Sequence, residues 1–166
     1  MQVSNTPEFQ LALPREELER TARQMNLPGF GPEQQQRLHN AHVLVIGVGG
    51  LGCPIMQTLA ATGVGNITVY DDDTVALSNI HRQILFNADD VGKAKVEVAA
   101  KRIQAIQPHI TVHARKERLT EGNFIQALEG IDLLIDGSDT FQTKFLAADA
   151  AAVSYTHLRA HETLRY

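Results

Sequence analysis

Cysteine is nearly absent from this chain, with one residue, Cys53, among 166. A single thiol forms no internal disulfide, so the sequence predicts a reducing compartment, and the cytoplasm is the expected location. Long hydrophobic runs are missing as well, and no stretch approaches the roughly 20 apolar residues that span a bilayer, so no membrane association is expected. The opening MQVSNTPEFQ carries neither a basic flank nor an apolar run, which leaves no visible signal peptide. Positive charge is also scarce, with 15 Lys and Arg against 19 Asp and Glu and a formal net charge of −4. That balance argues against a broad nucleic-acid surface and against an anionic membrane as partner. There are no internal repeats and no low-complexity tracts. What is present, 43% hydrophobic residues in a chain of this length, suffices for one domain with a real core.

Residues 1–14 are polar with two prolines and are read as a flexible segment. Arg15 to Met25, charged and with Leu18 and Met25 seven apart, predicts a modest helix. LPGFGPEQQQRLHN then predicts a turn and a short helix, with Pro32 where a first-turn proline is tolerated. Beyond it, strands and helices alternate. Val43–Gly47 reads as a buried strand, Cys53–Thr62 as a helix stopped by Gly63, and Asn66–Asp71 as a second strand. Gly92 to Ile106 carries Val96, Ala99, Ile103 and Ile106 on one helical face, with Pro108 just past its end. Ile110–Ala114 is a third strand, Thr120 caps a helix to about Leu128, Ile131–Asp136 is a fourth strand, and Thr140 onward looks helical. This order predicts an α/β, Rossmann-like, doubly wound fold, a mostly parallel sheet with helices on both faces. The alanine-rich chain changes character after Ala152. The last fourteen residues, VSYTHLRAHETLRY, match no preceding period, and four visible strands are few for such a sheet. We therefore expect a nucleotide-binding domain over 15–152, truncated at its C-terminal end, followed by a non-native tail at 153–166.

Gly47, Gly49 and Gly52 fit G-x-G-x-x-G, directly after one predicted strand and opening one predicted helix. The first glycine permits a sharp turn, the second lets backbone N–H groups approach a phosphate, and the third lets helix and strand pack closely. The helix amino terminus adds donors and partial positive charge. Asp71 ends the next strand, where a carboxylate can accept hydrogen bonds from ribose hydroxyls. These features point to an adenosine-type nucleotide without saying which one. The run YDDDTVALSNIHRQILF is more selective. Three consecutive aspartates repel one another unless a cation or donors lie near, and Asn79, Arg82, Gln83 and then Lys95 follow. Arginine neutralises phosphate oxygens through its bidentate fork and lysine as a point charge. A hydride-transfer cofactor has little need of such cations, whereas a reaction that expels pyrophosphate does.

These residues resemble a known family. GVGGLGCP, GVGNITVYDDDTVALSNIHRQ, VGKAKVEVAAKRI and IDLLIDGSDT, with RTARQMNLPGFGPEQQQRL before them, are similar in order and spacing to the ThiF/MoeB/HesA adenylyltransferases, bacterial relatives of ubiquitin-activating enzymes. The resemblance covers roughly Arg20 to Ala152. It implies ATP-dependent activation of the C-terminal glycine carboxylate of a small ubiquitin-like sulfur-carrier protein, giving an acyl-adenylate and pyrophosphate, in thiamin or molybdopterin-type sulfur transfer. By the same resemblance Gly50 contacts nucleotide, Asp71 holds the ribose, and Ser78 to Arg82 line the nucleotide, with Asn79 and Arg82 as polar contacts. Lys95 is expected to reach the phosphates and Asp139 to bind Mg²⁺. Arg23 aligns with an arginine supplied by a neighbouring subunit, which implies a homodimer.

The sequence departs from the family pattern where an aspartate–asparagine pair becomes Asp139–Thr140 and where Thr21 replaces a tyrosine between Arg20 and Arg23. A hydroxyl at Thr140 lacks an amide's paired donor and acceptor. The family's two C-x-x-C zinc pairs and its transfer cysteine do not occur in this chain, so Zn²⁺ is expected only with a longer C-terminal part. Plainer roles compete for several residues. Lys93 suits a solvated position, Asp72 and Asp73 suit a turn, with Asp73 the better placed of the two to assist metal or phosphate geometry, and Asp136 suits a strand end. Cys53 suits packing, and His81 and His109 have no metal-ligand partner at a suitable spacing. Two other functions remain open on the sequence: an NAD-dependent oxidoreductase, and a non-catalytic nucleotide-binding subunit.

Overall fold

The computed structural model describes residues 12–138 and 157–160. After α1 (Arg15–Thr21) and a 3₁₀ turn at Gln24–Asn26, Pro32 opens α2 (Pro32–Asn40). The order then runs β1 (His42–Ile46), α3 (Gly52–Thr62), β2 (Asn66–Tyr70), two 3₁₀ turns at Leu77–Asn79 and Ala88–Asp90, and α4 (Lys95–Ile106). It closes with β3 (Thr111–Arg115), α5 (Glu121–Ala127), β4 (Leu133–Asp136) and β5 (His157–Ala160). All strand pairings are parallel, in the order β3-β2-β1-β4-β5. The α/β class is therefore as the sequence implied. β5 pairs with β4 from Leu133↔His157 to Asp136↔Ala160, so four residues of the expected tail lie in the sheet. The helix expected from Thr140 falls outside the described residues.

Alternation explains the layering, because successive strand residues face opposite sides of a sheet. Val43, Val45, Ile67 and Val69 face one side, where Met56 and Ala60 of α3 and Val96, Ala99 and Ile103 of α4 cover them. Leu44, Ile46 and Leu134 face the other, under Phe124 of α5 and Leu128 just past its end. Each helix contributes a stripe of apolar residues three or four apart, the spacing that puts side chains on one face.

Two helix boundaries differ from the sequence reading. The segment expected as one helix from Arg15 to Met25 ends at Thr21 and resumes as the 3₁₀ turn. The Gln24 side chain accounts for the resumption, since it donates to the Thr62 carbonyl at 2.7 Å and anchors this segment on the end of α3. The helix expected from Gly92 begins at Lys95. Gly92 has φ of +86°, which no right-handed helix contains, and Thr74 and Ala94 form an antiparallel bridge across the entry.

Candidate nucleotide-binding site

The sheet order reverses direction at β1, with β2 to one side and β4 to the other. Ligands of open α/β sheets bind in the crevice beyond the strand carboxyl ends at such a switch point. The loop after β1 carries Gly47, Gly49, Gly50 and Gly52, the chain after β2 carries Asp71–Asp73, and β4 ends in Asp136 before Gly137 and Ser138. The topology therefore brings the predicted glycine and aspartate motifs to one end of the sheet.

The glycines have different reasons to be glycine. Gly47 sits at φ of +83°, and its N–H donates to the Tyr70 carbonyl at 2.8 Å. A Cβ at Gly52 would run into the Gly47 carbonyl oxygen, so the third glycine permits the helix to pack on the turn. Nothing in the protein lies within 4 Å of where a Cβ at Gly49 would stand, so that position faces open space. A Cβ at Gly50 would meet the Arg82 side chain, at 3.6 Å from Cδ. Arg82 therefore lies across the loop, with its Nη1 at 3.4 Å from the Ser78 carbonyl and at 3.5 Å from the His81 ring.

Asp71 ties the second strand to this loop. Its Oδ2 accepts from the Val48 N–H at 2.6 Å, and its Oδ1 from the Asp73 N–H at 2.8 Å. Asp73 in turn accepts from the Lys95 ammonium at 2.7 Å, and its carbonyl accepts from the Lys95 N–H at 3.1 Å. Asp72 lies 3.9 Å from Arg118. The 3₁₀ turn places Ser78 and Asn79, and the Asn79 carbonyl accepts from the N–H groups of Arg82 and Gln83 at 3.1 and 3.0 Å. Gln83 is buried, and its Oε1 has no partner among the described residues.

Other predicted positions stand apart. Arg23 is exposed between α1 and the first 3₁₀ turn, next to Gln24, which binds the carboxyl end of α3. The glycine loop is at the amino end of the same helix, roughly 16 Å away for its eleven residues. Arg23 thus does not reach the loop of its own chain. Asp139 and Thr140 lie outside the described residues.

The aspartate carboxylates of 71, 72 and 73 offer oxygens within 4.8 Å of one another, the hard donors that magnesium takes. Yet Asp71 already accepts two backbone N–H groups and Asp73 holds an ammonium. These three residues by themselves do not make a magnesium site.

The plainer readings hold for several side chains. Cys53 is fully buried, its Sγ 3.6 Å from the Val48 carbonyl oxygen, and burial pushes its thiol above the ordinary range, as suits packing and not a nucleophile. His109 meets Glu16 of α1 at 3.2 Å, and Lys93 pairs with Asp90 at 3.3 Å. Asp136 accepts from the Ser138 N–H at 2.9 Å, while its buried Oδ2 has no partner among the described residues.

Two features escaped the sequence reading. Gly137 packs against the glycine loop, where a Cβ would stand 3.2 Å from the Gly52 nitrogen. The Asp73–Lys95 pair joins residues 22 apart. Neither follows from spacing, because the first depends on β4 lying beside β1 and the second on the bridge between Thr74 and Ala94.

Comparison with known proteins gives the family and the fold. The pattern of the ThiF family matches residues 21–164. The chain belongs to the ThiF family. Among its ThiF relatives, the sulfur carrier protein adenylyltransferase of Thermus thermophilus is 49% identical over 139 residues, covering 84% of this chain and 51% of that protein. The SAMP-activating enzyme E1 of Haloferax volcanii is 40% identical over 139 residues, covering 84% of this chain and 52% of its own length. The chain thus spans about half the length of these two relatives. Its fold is similar to the E. coli tRNA N6-threonylcarbamoyladenosine dehydratase TcdA, solved in complex with ATP, with a TM-score of 0.84 and 32% identity over 89% of this chain and 60% of that one.

Proposed function

We propose that this ThiF-family chain is the nucleotide-binding part of an ATP-dependent adenylyltransferase that activates the C-terminal glycine carboxylate of a small ubiquitin-like sulfur-carrier protein. The observation that carries the reading is that one cation lies on the glycine loop and a second on the aspartate run bonded to that loop. Arg82 lies across Gly50, and Lys95 reaches the aspartate run whose first member is bonded to the Val48 N–H. Dinucleotide chemistry asks for a phosphate-binding turn and a ribose acid, and these cations are surplus to it. The names of the Thermus and Haloferax relatives support the activity and the class of partner.

In the reaction, a carboxylate oxygen of the carrier attacks the α-phosphorus of ATP. The bond from that phosphorus to the bridging oxygen breaks, and pyrophosphate leaves with the electron pair. The chain's own contribution is positioning and charge. Backbone N–H groups of the glycine loop and the start of α3 face the phosphates, and Asp71 holds the ribose. Arg82 and Lys95 offset the negative charge that builds on the departing phosphates. Asp139 is the expected ligand of a magnesium ion, which when bound would supply charge neutralisation to the triphosphate. Arg23 completes the site of a second copy of the chain in a homodimer, which accords with its distance from the loop of its own chain.

Isothermal titration checks the assignment. Mg·ATP is expected to bind much more tightly than NAD⁺, and equal or stronger NAD⁺ binding would replace adenylylation with redox chemistry. Arg82→Ala should abolish ATP–pyrophosphate exchange in a form of the protein that carries out the exchange. Undiminished exchange would remove Arg82 from the site.

A further inference from the structure

We propose that Asp73 is a placeholder for phosphate: it holds the Lys95 ammonium in the nucleotide-free protein and yields it to ATP. It is then a positioning residue of the site and makes no lasting contact with the nucleotide. The inference rests on the adenylyltransferase reading and adds to it a step in ATP binding.

The burial of the two partners is unequal. The Lys95 side chain is 6% exposed and the Asp73 side chain 67%. A buried ammonium without a partner is costly, so Lys95 needs an anion at all times. Its partner is Asp73, while Asp71 is bonded to the N–H groups of Val48 and Asp73 and Asp72 lies against Arg118. The backbone of Asp73 is held at three points. Its N–H is on Asp71, its carbonyl is on the Lys95 N–H, and the next residue, Thr74, bridges Ala94. Only the carboxylate, on its wet side, is free to turn.

That asymmetry makes an exchange of anions cheap. A phosphate oxygen arriving at the glycine loop takes over the ammonium, so the buried charge is never unpaired. The displaced carboxylate is already mostly in water and loses little. A carboxylate that stayed in place beside a triphosphate would instead repel it. Asp73 thus keeps Lys95 aimed at the phosphate position before ATP is present.

The test is a double-mutant cycle read by titration of ATP in EDTA, so that divalent ions play no part. Asp73→Asn should tighten metal-free ATP binding by roughly two- to fivefold, the range for losing one half-exposed ion pair. In a Lys95→Met background, with weaker binding overall, the same change should bring a clearly smaller gain. Asp73→Glu, which keeps the charge, should show less of this gain than Asp73→Asn. Thermal melting checks that each variant stays folded, and Asp73→Ser serves in place of the amide should that variant fail to fold. Unchanged or weaker binding in Asp73→Asn, or an equal gain with and without Lys95, would overturn the proposal. A parent chain that binds no ATP would instead sink the adenylyltransferase reading, and this inference with it.

Discussion

Gly49 and Gly52 share a motif and differ in what a methyl group would do to them. At Gly52 a Cβ meets the Gly47 carbonyl oxygen, so helix and turn must separate. Gly52→Ala is expected to cost about 1–3 kcal/mol or more, as overpacked sites do, and to lower the melting temperature whether or not ATP is present. At Gly49 there is open space, and φ is not in the left-handed region. Gly49→Ala should leave stability within about 0.5 kcal/mol of the parent, as surface changes do, while weakening ATP binding by crowding the phosphates. Thermal melts with and without ATP separate the two. Equal losses of stability would mean that both glycines serve only the packing.

At the scale of elements, two junctions make stability depend on pH. Asp90, buried at the end of a 3₁₀ turn, accepts from the Asn87 N–H at 3.1 Å, from Arg102 of α4 at 3.1 Å and from Lys93 at 3.3 Å. Burial works to raise its pKa, but these hydrogen bonds together outweigh burial and hold it below the ordinary carboxylate value. The folded state therefore binds the proton less readily than the unfolded chain. The resulting stabilisation is complete above the ordinary carboxylate range and is lost as pH falls through the lowered value. Asp90→Asn should flatten the acid limb of stability in urea titrations between neutral pH and about pH 3, where the ordinary carboxylate titrates.

His42, at the start of β1, shows the same sign at higher pH. Its Nε2 lies 2.8 Å from the Thr68 hydroxyl, and the His113 ring of β3 is 5.8 Å away between centroids. Burial, and then His113, push its pKa below the ordinary histidine value, against weaker opposing effects of Asp132 and the Gly130 carbonyl. Stability from this site is present above the ordinary histidine range and declines as pH falls through it towards the folded value. Urea titrations from about pH 7.5 to 5, bracketing the ordinary histidine pKa, should show a slope in the parent that is reduced in His42→Gln. An identical slope in the variant would place its origin in another group.

At the scale of the whole molecule, Arg23 and the glycine loop lie at opposite ends of α3. The N-terminal segment is fastened there through polar contacts. Gln24 and Gln35 both donate to the Thr62 carbonyl, at 2.7 and 3.1 Å, and Gln107 donates to the buried Glu17. Such anchoring fixes the backbone beside Arg23, as the proposed reach to a second copy would require. An Arg23→Ala chain and an Arg82→Ala chain should each be inactive alone, and mixing them should restore part of the exchange activity. A mixture as inactive as its components would rule out an arginine shared between copies.

The order of strands and helices was readable because burial in an α/β sheet imposes a periodicity, as in Val43–Ile46 and in the Val96, Ala99, Ile103 stripe. The glycine loop was readable because turn geometry and close packing both require the same residue type, and Asp71 because it stands directly after the next strand. Boundaries were less so. Nothing local at Gly92 says that the chain makes a bridge before α4 begins, and nothing local in Arg15–Met25 says that Gln24 will bind Thr62. By itself the sequence determined the alternation, the glycine turn and the family resemblance, since each is a matter of residue type at fixed spacing. Only the tertiary structure decided that Lys95 is held by Asp73, that Arg82 crosses Gly50, that Gly137 abuts the loop and that Arg23 is remote from it. Those facts depend on contacts between segments far apart in the chain, such as the Thr74–Ala94 bridge and the Gln24–Thr62 bond, and spacing along one sequence carries no measure of that distance.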